Sequence, residues 1–392
     1  MNTVLYVAML ITPEIEGTYN IDSYSQAGYH KISNIIDSLV ANNKQVTVIS
    51  PLSVTESSLI HRSPKKYTHP DNGVTIIVPR LLNVYEFSVI NKLFLIIFTT
   101  GEVIKQIISD KIFMILFYNM VPSKAIPATI GSLISNTPLI LEYEDGSFAN
   151  RSIVGRLAIK SSRIISAPWV DGAICVNALL AKRAPTKNTI IFRGFPSVGL
   201  PEDLPTVEYD ESKTVVMYAG KFDRLRGVHT YINMIEEYRG EKCEFWISGW
   251  GPEEEINKIE KEINLINNDD VTFFGQLPFS EYKRCCVQAD VLINPQDPDN
   301  LLSKYTFPSK ILDFLSSETI IITTDMADLK SEMSDVLIID GKSPESLSKT
   351  LDHALKMDEN SINRQKNNGQ QWIRDHCDHK KIGQDIIRLG SS

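Results

Sequence analysis

A chain of 392 residues exceeds what one hydrophobic core comfortably supports, so two domains are expected. With 43% hydrophobic and 22% charged residues it has the composition of an ordinary globular protein, not of a disordered or low-complexity one. A net charge of −8 argues against a nucleic-acid groove as its main business. Five scattered cysteines without CxxC spacing offer no metal framework and fit reduced thiols in the cytoplasm.

Residues 1–10 are too short and too unflanked for a signal peptide, and they read as a first strand. A polar loop from Gly17 to Gly28 follows, then a helix over Ala27–Asn43 and a second strand, QVTVIS, which together make a βαβ unit. Gly28 would let backbone approach a ligand at the helix start, whereas His30 inside the helical pattern reads as structural. After the strand VTIIVP comes a helical region around residues 86–109. Its most apolar stretch, Phe87–Phe98, is too short to cross a bilayer and reads as a core helix; the alternative is a helix dipping one face into a membrane surface.

IFMILFY, a helix near 123–135, PLILEYE, and DGAICVN with ALLAKRA leading into NTIIFRGFP complete a Rossmann-type domain over residues 1–195. Ligands of such sheets lie at the carboxyl ends of the strands. Asn119, Glu142, Glu144 and Asp145 fall there and are candidates for handling an acceptor. Carboxylates in that position act as a general base or bind hydroxyls, or else cap the next helix.

Residues 196–213 hold three prolines and several acids and read as an exposed linker. Strand–helix alternation then restarts over residues 214–370. The run TVVMYAG ends in a loop carrying Lys221, Arg224 and Arg226, and Gly227 opens a helix. Cations set against a helix N-terminus suit an anion; the alternative is a solvated basic turn. CEFWISGWGPEEE is a strand ending at Gly249-Trp250-Gly251, followed by an acidic, solvated helix. VTFFGQL, SEYKRCCVQAD, VLINP, a long polar loop, FPSKILDFLSS, TIIITTD and DVLIID continue the alternation, with Cys285-Cys286 as buried filler. Two helical regions end the chain, the last over residues 371–392.

Four of these segments, in order, resemble motifs of the group-1 (family 4) glycosyltransferases of GT-B fold, which build bacterial surface polysaccharides. AGKFDRLRG resembles the family's G-R-L-x-x-x-K-G segment and ISGWGPEEE its G-x-G-P turn. VTFFGQLPFSEYKRCCVQADVLINP is similar to its V-x-F-x-G through A-D-x-x-x-x-P block, and FPSKILDFLSSETIIITTD to its acidic-motif helix. The match covers residues 214–325 well and the N-terminal half in outline.

The resemblance implies an α/β protein of two Rossmann-like domains facing across a cleft, with the last helix, residues 371–392, crossing back to the first domain. It implies transfer of a sugar from a nucleotide-diphosphate donor to a hydroxyl of a glycan or lipid-linked glycan, with retention of configuration. By register Lys221 and Arg226 hold the diphosphate, with the usual order of Arg and Lys exchanged. Gly220, Gly249 and Gly251 keep the donor site open. Asp313 takes the place of the second acid of E-x7-E and contacts the ribose. Tyr305 stands where the family carries its first glutamate, so Lys304, Ser309 and Lys310 become replacement contacts to the sugar; Lys310 reads equally as a solvated helix residue.

No cofactor is implied beyond the donor, and no metal, since a cation pair can take over a metal's work. Asp297 and Asp299 lie in a proline-rich loop unsuited to metal binding. Contact with the cytoplasmic face of a membrane follows from Phe87–Phe98 and a lipid-linked acceptor. The competing expectations are an epimerase or phosphorylase on the same fold, and a non-catalytic partner subunit.

Overall fold

The computed structural model describes residues 2–19, 21, 26–53, 63–81, 88–144, 153–197, 207–266 and 268–391. It divides into two compact units, one of residues 1–194 with 378–392 and one of residues 195–377.

The first unit is built on strands β1 (Thr3–Val7), β2 (Gln45–Ile49), β3 (Lys65–Thr68), β4 (Thr75–Val78), β5 (Ile112–Tyr118), β6 (Leu139–Tyr143), β7 (Gly172–Cys175) and β8 (Thr189–Ile191). They form one sheet in the order β3-β4-β2-β1-β5-β6-β7-β8, parallel except for β3 against β4. Every residue of β1, β6 and β7 is buried, as unbroken apolar runs require when helices cover both faces of a sheet. The order reverses between β1 and β5, which makes their carboxyl ends the natural ligand position.

The helices of this unit are α1 (Pro13–Thr18), α2 (Gln26–Val40), α3 (Ser88–Ser109), α4 (Pro122–Ser135), α5 (Ile153–Ser166) and α6 (Ala178–Ala181). Right-handed crossovers place α3, α4 and α5 side by side on one face of the sheet and α2 on the other. The loop expected from Gly17 starts inside the end of a short helix, α1, whose cap Thr12 accepts from the Ile15 amide at 3.4 Å through its side chain. Gly17 lies in that helix and Gly28 in the first turn of α2.

Edge strand β3 and helix α5 are additions to the elements expected from the sequence. β3 reads KKYT, with only its tyrosine buried, and α5 buries Ile159, Ser162 and Ser166 alone. The core-helix expectation for Phe87–Phe98 is corrected. Phe87 lies outside the described residues, and no residue from Val89 to Phe98 is buried. Only further along, from Thr99 through Val103, does α3 turn a face inward.

The second unit has six strands, β9 (Thr214–Lys221), β10 (Cys243–Trp250), β11 (Val271–Gly275), β12 (Val291–Asn294), β13 (Ile320–Thr323) and β14 (Ile338–Ile339), in the order β11-β10-β9-β12-β13-β14 and all parallel. Its helices are α7 (Val228–Glu237), α8 (Glu253–Ile266), α9 (Phe279–Gln288), α10 (Leu301–Tyr305), α11 (Lys310–Leu315), α12 (Leu329–Met333), α13 (Pro344–Leu355) and α14 (Glu359–His376). Two apolar clusters fill the two faces of the sheet. One contains Tyr218, Tyr231 and Phe245; the other contains Trp246, Cys285, Cys286 and Phe314. The end of the proline-rich segment is docked here. The Val207 amide donates to Gln288 Oε1 at 3.0 Å, and Tyr209 meets Trp246 edge-on.

The chain then returns to the first unit in α15 (His379–Leu389). Asp378 caps it, accepting from the Lys380 and Lys381 amides at 2.7 and 3.2 Å. Its buried stripe, Ile382, Gly383, Ile386 and Leu389, lies in the first unit, and Asn42 of α2 donates to the Lys380 carbonyl at 2.9 Å. Residues 371–377 remain in the second unit as the end of α14, where Trp372 stacks on His376 at 4.4 Å.

Candidate active site

In the second unit the strand order reverses between β9 and β12, and the residues that follow those two strands are packed into each other. β9 ends at Gly220 and Lys221 and leads through a 3-10 turn, Arg224–Arg226, into α7. Asp223 caps that turn by accepting from the Arg226 amide at 2.8 Å. Gly227 has φ 80°, and a Cβ there would fall 1.9 Å from the Pro295 carbonyl oxygen, so only glycine allows the turn to seat on the chain after β12. Two bonds complete the seat. The Asp297 amide donates to the Leu225 carbonyl at 3.1 Å, and Arg226 Nη1 donates to Gln296 Oε1 at 2.8 Å. Gln296 is itself buried and donates to Ser303 Oγ at 2.9 Å. Sequence motifs did not flag Gln296, whose importance comes from the neighbouring strand.

Lys221 is 41% exposed, lies 3.5 Å from Asp223 Oδ2, and sits over the ring of exposed Trp250 at 5.6 Å. Gly249 pairs with Gly220 across β9 and β10, and a Cβ at 249 would fall 1.9 Å from the Gly220 carbonyl oxygen. Gly251 follows without such crowding, its nearest neighbour being 3.4 Å away.

The solvated reading of Lys310 is corrected. From the first position of α11 its ammonium reaches back to β9, donating to the Ala219 carbonyl at 3.0 Å and lying over the Tyr218 ring at 4.8 Å. Burial, with Arg226 as a neighbouring cation, pushes the Lys310 pKa down to about 7; Asp223 and Cys286 act in the opposite direction. Lys221, Arg226, Lys310 and Gly220 thus converge at one end of one sheet.

The other donor-site candidates are placed differently. Asp313 is turned to the chain entering the unit: it accepts from the Ser197 amide at 2.7 Å, and buried Lys283 lies 3.6 Å from the same oxygen. Ser309 precedes α11 and is exposed, and Tyr305 ends α10 half-buried. Asp299 is exposed and paired with Lys342 at 2.5 Å.

The first unit gathers its own polar cluster at the carboxyl ends of β1, β5, β6 and β7. Asn119 has φ 57° and is buried; its amide donates to the Glu142 carbonyl at 2.8 Å and its side chain accepts from the Glu144 amide at 2.9 Å. The Glu142 side chain is fully buried and accepts from the Tyr6 hydroxyl. The Glu144 carboxylate is in contact with the ammonium of Lys31 from α2, which also donates to the Phe192 carbonyl at 3.0 Å. Cys175 lies within this field, and burial pushes its thiol up to about 12. Tyr6 and Lys31 lie inside regular element patterns, so nothing in the sequence marks them as partners of the two acids. Asp145 lies outside the described residues.

Asn119, Glu142 and Glu144 are therefore brought together, and Gly28 shares the α2 N-terminal turns with Lys31. With side chains 9% and 15% exposed, the Lys31–Glu144 pair loses more when one member goes than when both do. Lys31→Met is expected to destabilise the protein by about 3–5 kcal/mol in denaturant unfolding, and the double variant with Glu144→Gln to recover most of that loss.

Residues 213–357 match the profile of the family described as glycosyl transferases group 1. A comparison with curated proteins finds no match. Among solved structures, the chain is similar to a glycosyltransferase from Rickettsia africae at TM-score 0.69 and 9% identity, over 99% of this chain and 97% of that one. It is similar to sucrose-phosphate synthase from Thermosynechococcus elongatus at 0.65 and 14%, over 99% and 98%. HepE of Anabaena, solved with UDP and glucose, aligns at 0.65 and 10% over the whole of both chains. Residues 213–357, most of the second unit, thus carry the pattern of the glycosyl transferases of group 1, and the whole chain has the GT-B fold of the glycosyltransferases it is similar to.

Proposed function

We propose that the chain moves a sugar from a nucleotide-diphosphate donor to a hydroxyl of a glycan or lipid-linked glycan, with retention and without a metal. The observation that carries this reading is the convergence of Lys221, Arg226 and Lys310 at the switch point of the second sheet. Similar folds solved with UDP and glucose lend support to a nucleotide-sugar donor.

Transfer breaks the bond from the anomeric carbon to the diphosphate. Negative charge grows on the phosphate oxygens while the sugar becomes cation-like. Fixed cations stabilise that change without rearranging, because their orientation is set before the bond breaks. Arg226 is aimed by Gln296 and Lys310 by the Ala219 carbonyl, whereas Lys221 exchanges Asp223 for the phosphate. In a retaining transfer the acceptor hydroxyl attacks from the face the diphosphate leaves. Asn119, Glu142 and Glu144 are the acceptor-side groups. Because Glu144 is already committed to Lys31, a role in binding hydroxyls suits it better than proton abstraction.

Isothermal titration with UDP, GDP and ADP tests the site. Lys221→Ala and Arg226→Ala are each expected to weaken binding of the preferred diphosphate about ten- to a hundredfold, the worth of one charge-assisted hydrogen bond. Unchanged binding in both variants would remove the phosphate from this mouth.

Lys310 adds a pH dependence. Below its depressed pKa of about 7 the ammonium is already charged, so binding takes up no proton there. Above it the free protein is neutral at this position, and an anion that favours the charged form must draw a proton in. Affinity is therefore expected to fall from about pH 7 to pH 9, by at most about tenfold per unit. At about pH 8 titrations in buffers of different ionisation heat should show proton uptake, and Lys310→Met should flatten both effects.

A further inference from the structure

Helix α5 is folded inside out. At about 100° per residue its buried positions Ile159, Ser162 and Ser166 fall within a narrow arc, and two of the three are serines. Ile153, Val154, Leu157, Ala158, Ile164 and Ile165 occupy a broad arc, and all six are exposed. Arg156, Lys160 and Arg163 share the remaining flank, and the helix has no acidic residue. An apolar stripe bordered by cations is the pattern of a helix lying in a lipid headgroup layer, not of one completing a core.

α3 repeats the pattern at its N-terminal end. Val89, Ile90, Leu93 and Ile97 are exposed beside exposed Lys92. Outside the buried Lys124 and Glu102, α3, α4 and α5 together carry five cations (Lys92, Lys105, Arg156, Lys160, Arg163) and no acid, in a chain whose net charge is −8.

The placement of these residues matters as much as their chemistry. Gly131 of α4 is packed against Val103 and Ile107 of α3, so α3 begins about two turns beyond the start of α4. Ser162 of α5 donates to the carbonyl of Met120, just past the end of β5, so residues 153–161 also lie beyond the strand ends. Both projections extend from the carboxyl edge of the sheet, where Asn119, Glu142 and Glu144 lie.

We infer that the projecting ends of α3 and α5 form a surface that inserts into an anionic lipid bilayer. Their apolar residues enter the acyl boundary while Lys92, Arg156 and Lys160 meet phosphate headgroups. No helix among the described residues is long and apolar enough to cross a membrane, so the contact is interfacial. It would deliver a lipid-linked acceptor to the edge of the first sheet. The surface itself does not depend on the donor chemistry.

Flotation of the full chain with phosphatidylcholine vesicles, with and without about one third phosphatidylglycerol, tests it. The protein is expected to float with anionic vesicles and to bind neutral ones several-fold less. Leu93→Glu with Leu157→Glu should lower binding at least tenfold, with the circular dichroism spectrum unchanged. Protein that stays in the soluble fraction with both vesicle types overturns the inference. So does a soluble dimer that the same two substitutions split without changing flotation, because a second copy would then own the face. Titration of the same variants with nucleotide diphosphate separates this outcome from failure of the donor site.

Discussion

The donor end of this protein depends on one close approach, the seating of the Arg224–Gly227 turn against Pro295–Asp297. Parallel strands leave their carboxyl ends as loose loops, and a basic loop in water would scatter its charges. Here a backbone bond from Asp297 to Leu225, the missing Cβ at Gly227 and the Arg226–Gln296 bond fix the turn to the neighbouring strand's exit. The guanidinium is thereby held before any ligand arrives. That is what transition-state stabilisation requires, since a side chain that must be ordered during the reaction gives back part of what it contributes.

Holding several cations together costs free energy, and the site meets that cost in three ways. Lys221 is left partly in water beside Asp223. Arg226 spends one N–H on a neutral amide oxygen, which orients it without cancelling its charge. Lys310 is pressed against a backbone carbonyl and two aromatic rings, and gives up its proton readily. The three are therefore not interchangeable: one is screened, one is permanent and one titrates.

Legibility in the sequence followed the locality of each interaction. Strands such as β5 and β9 are unbroken apolar runs between turns, and the order of strand and helix led to two parallel sheets. Lys221, Arg226 and Gly249 were visible because loop chemistry is written in consecutive residues. Gln296, Lys31 and Tyr6 were not, because each acts on a residue from another strand or helix, and nothing at its own position announces the partner. Asp313 shows the converse. Its register with the family's second acid implies a ribose contact, but its place in the fold gives it the Ser197 amide. Lys310 could not be decided from helical spacing, since the first residue of a helix can turn either outward or back over the preceding strand.

Amphipathicity misleads where its usual premise fails. Periodicity locates a helix face, and the rule that apolar faces point inward then orients it. In α5 the same periodicity exists, but the buried face holds Ser162 and Ser166, whose small side chains allow close packing, and the Ser162 hydroxyl donates to the Met120 carbonyl. Ile153, Ile164 and Ile165 are thereby left outside. Burying two serines beside Ile159 while three isoleucines stay exposed is unfavourable in water. The arrangement becomes intelligible when the outer face is considered against a second solvent, in which burying isoleucine beside lysine and arginine is the favourable direction. The first sheet would then have two environments along its carboxyl edge, a hydrogen-bonded polar cluster at Asn119, Glu142 and Glu144 and an apolar rim at α3 and α5. A substrate with a sugar at one end and a lipid at the other matches that division.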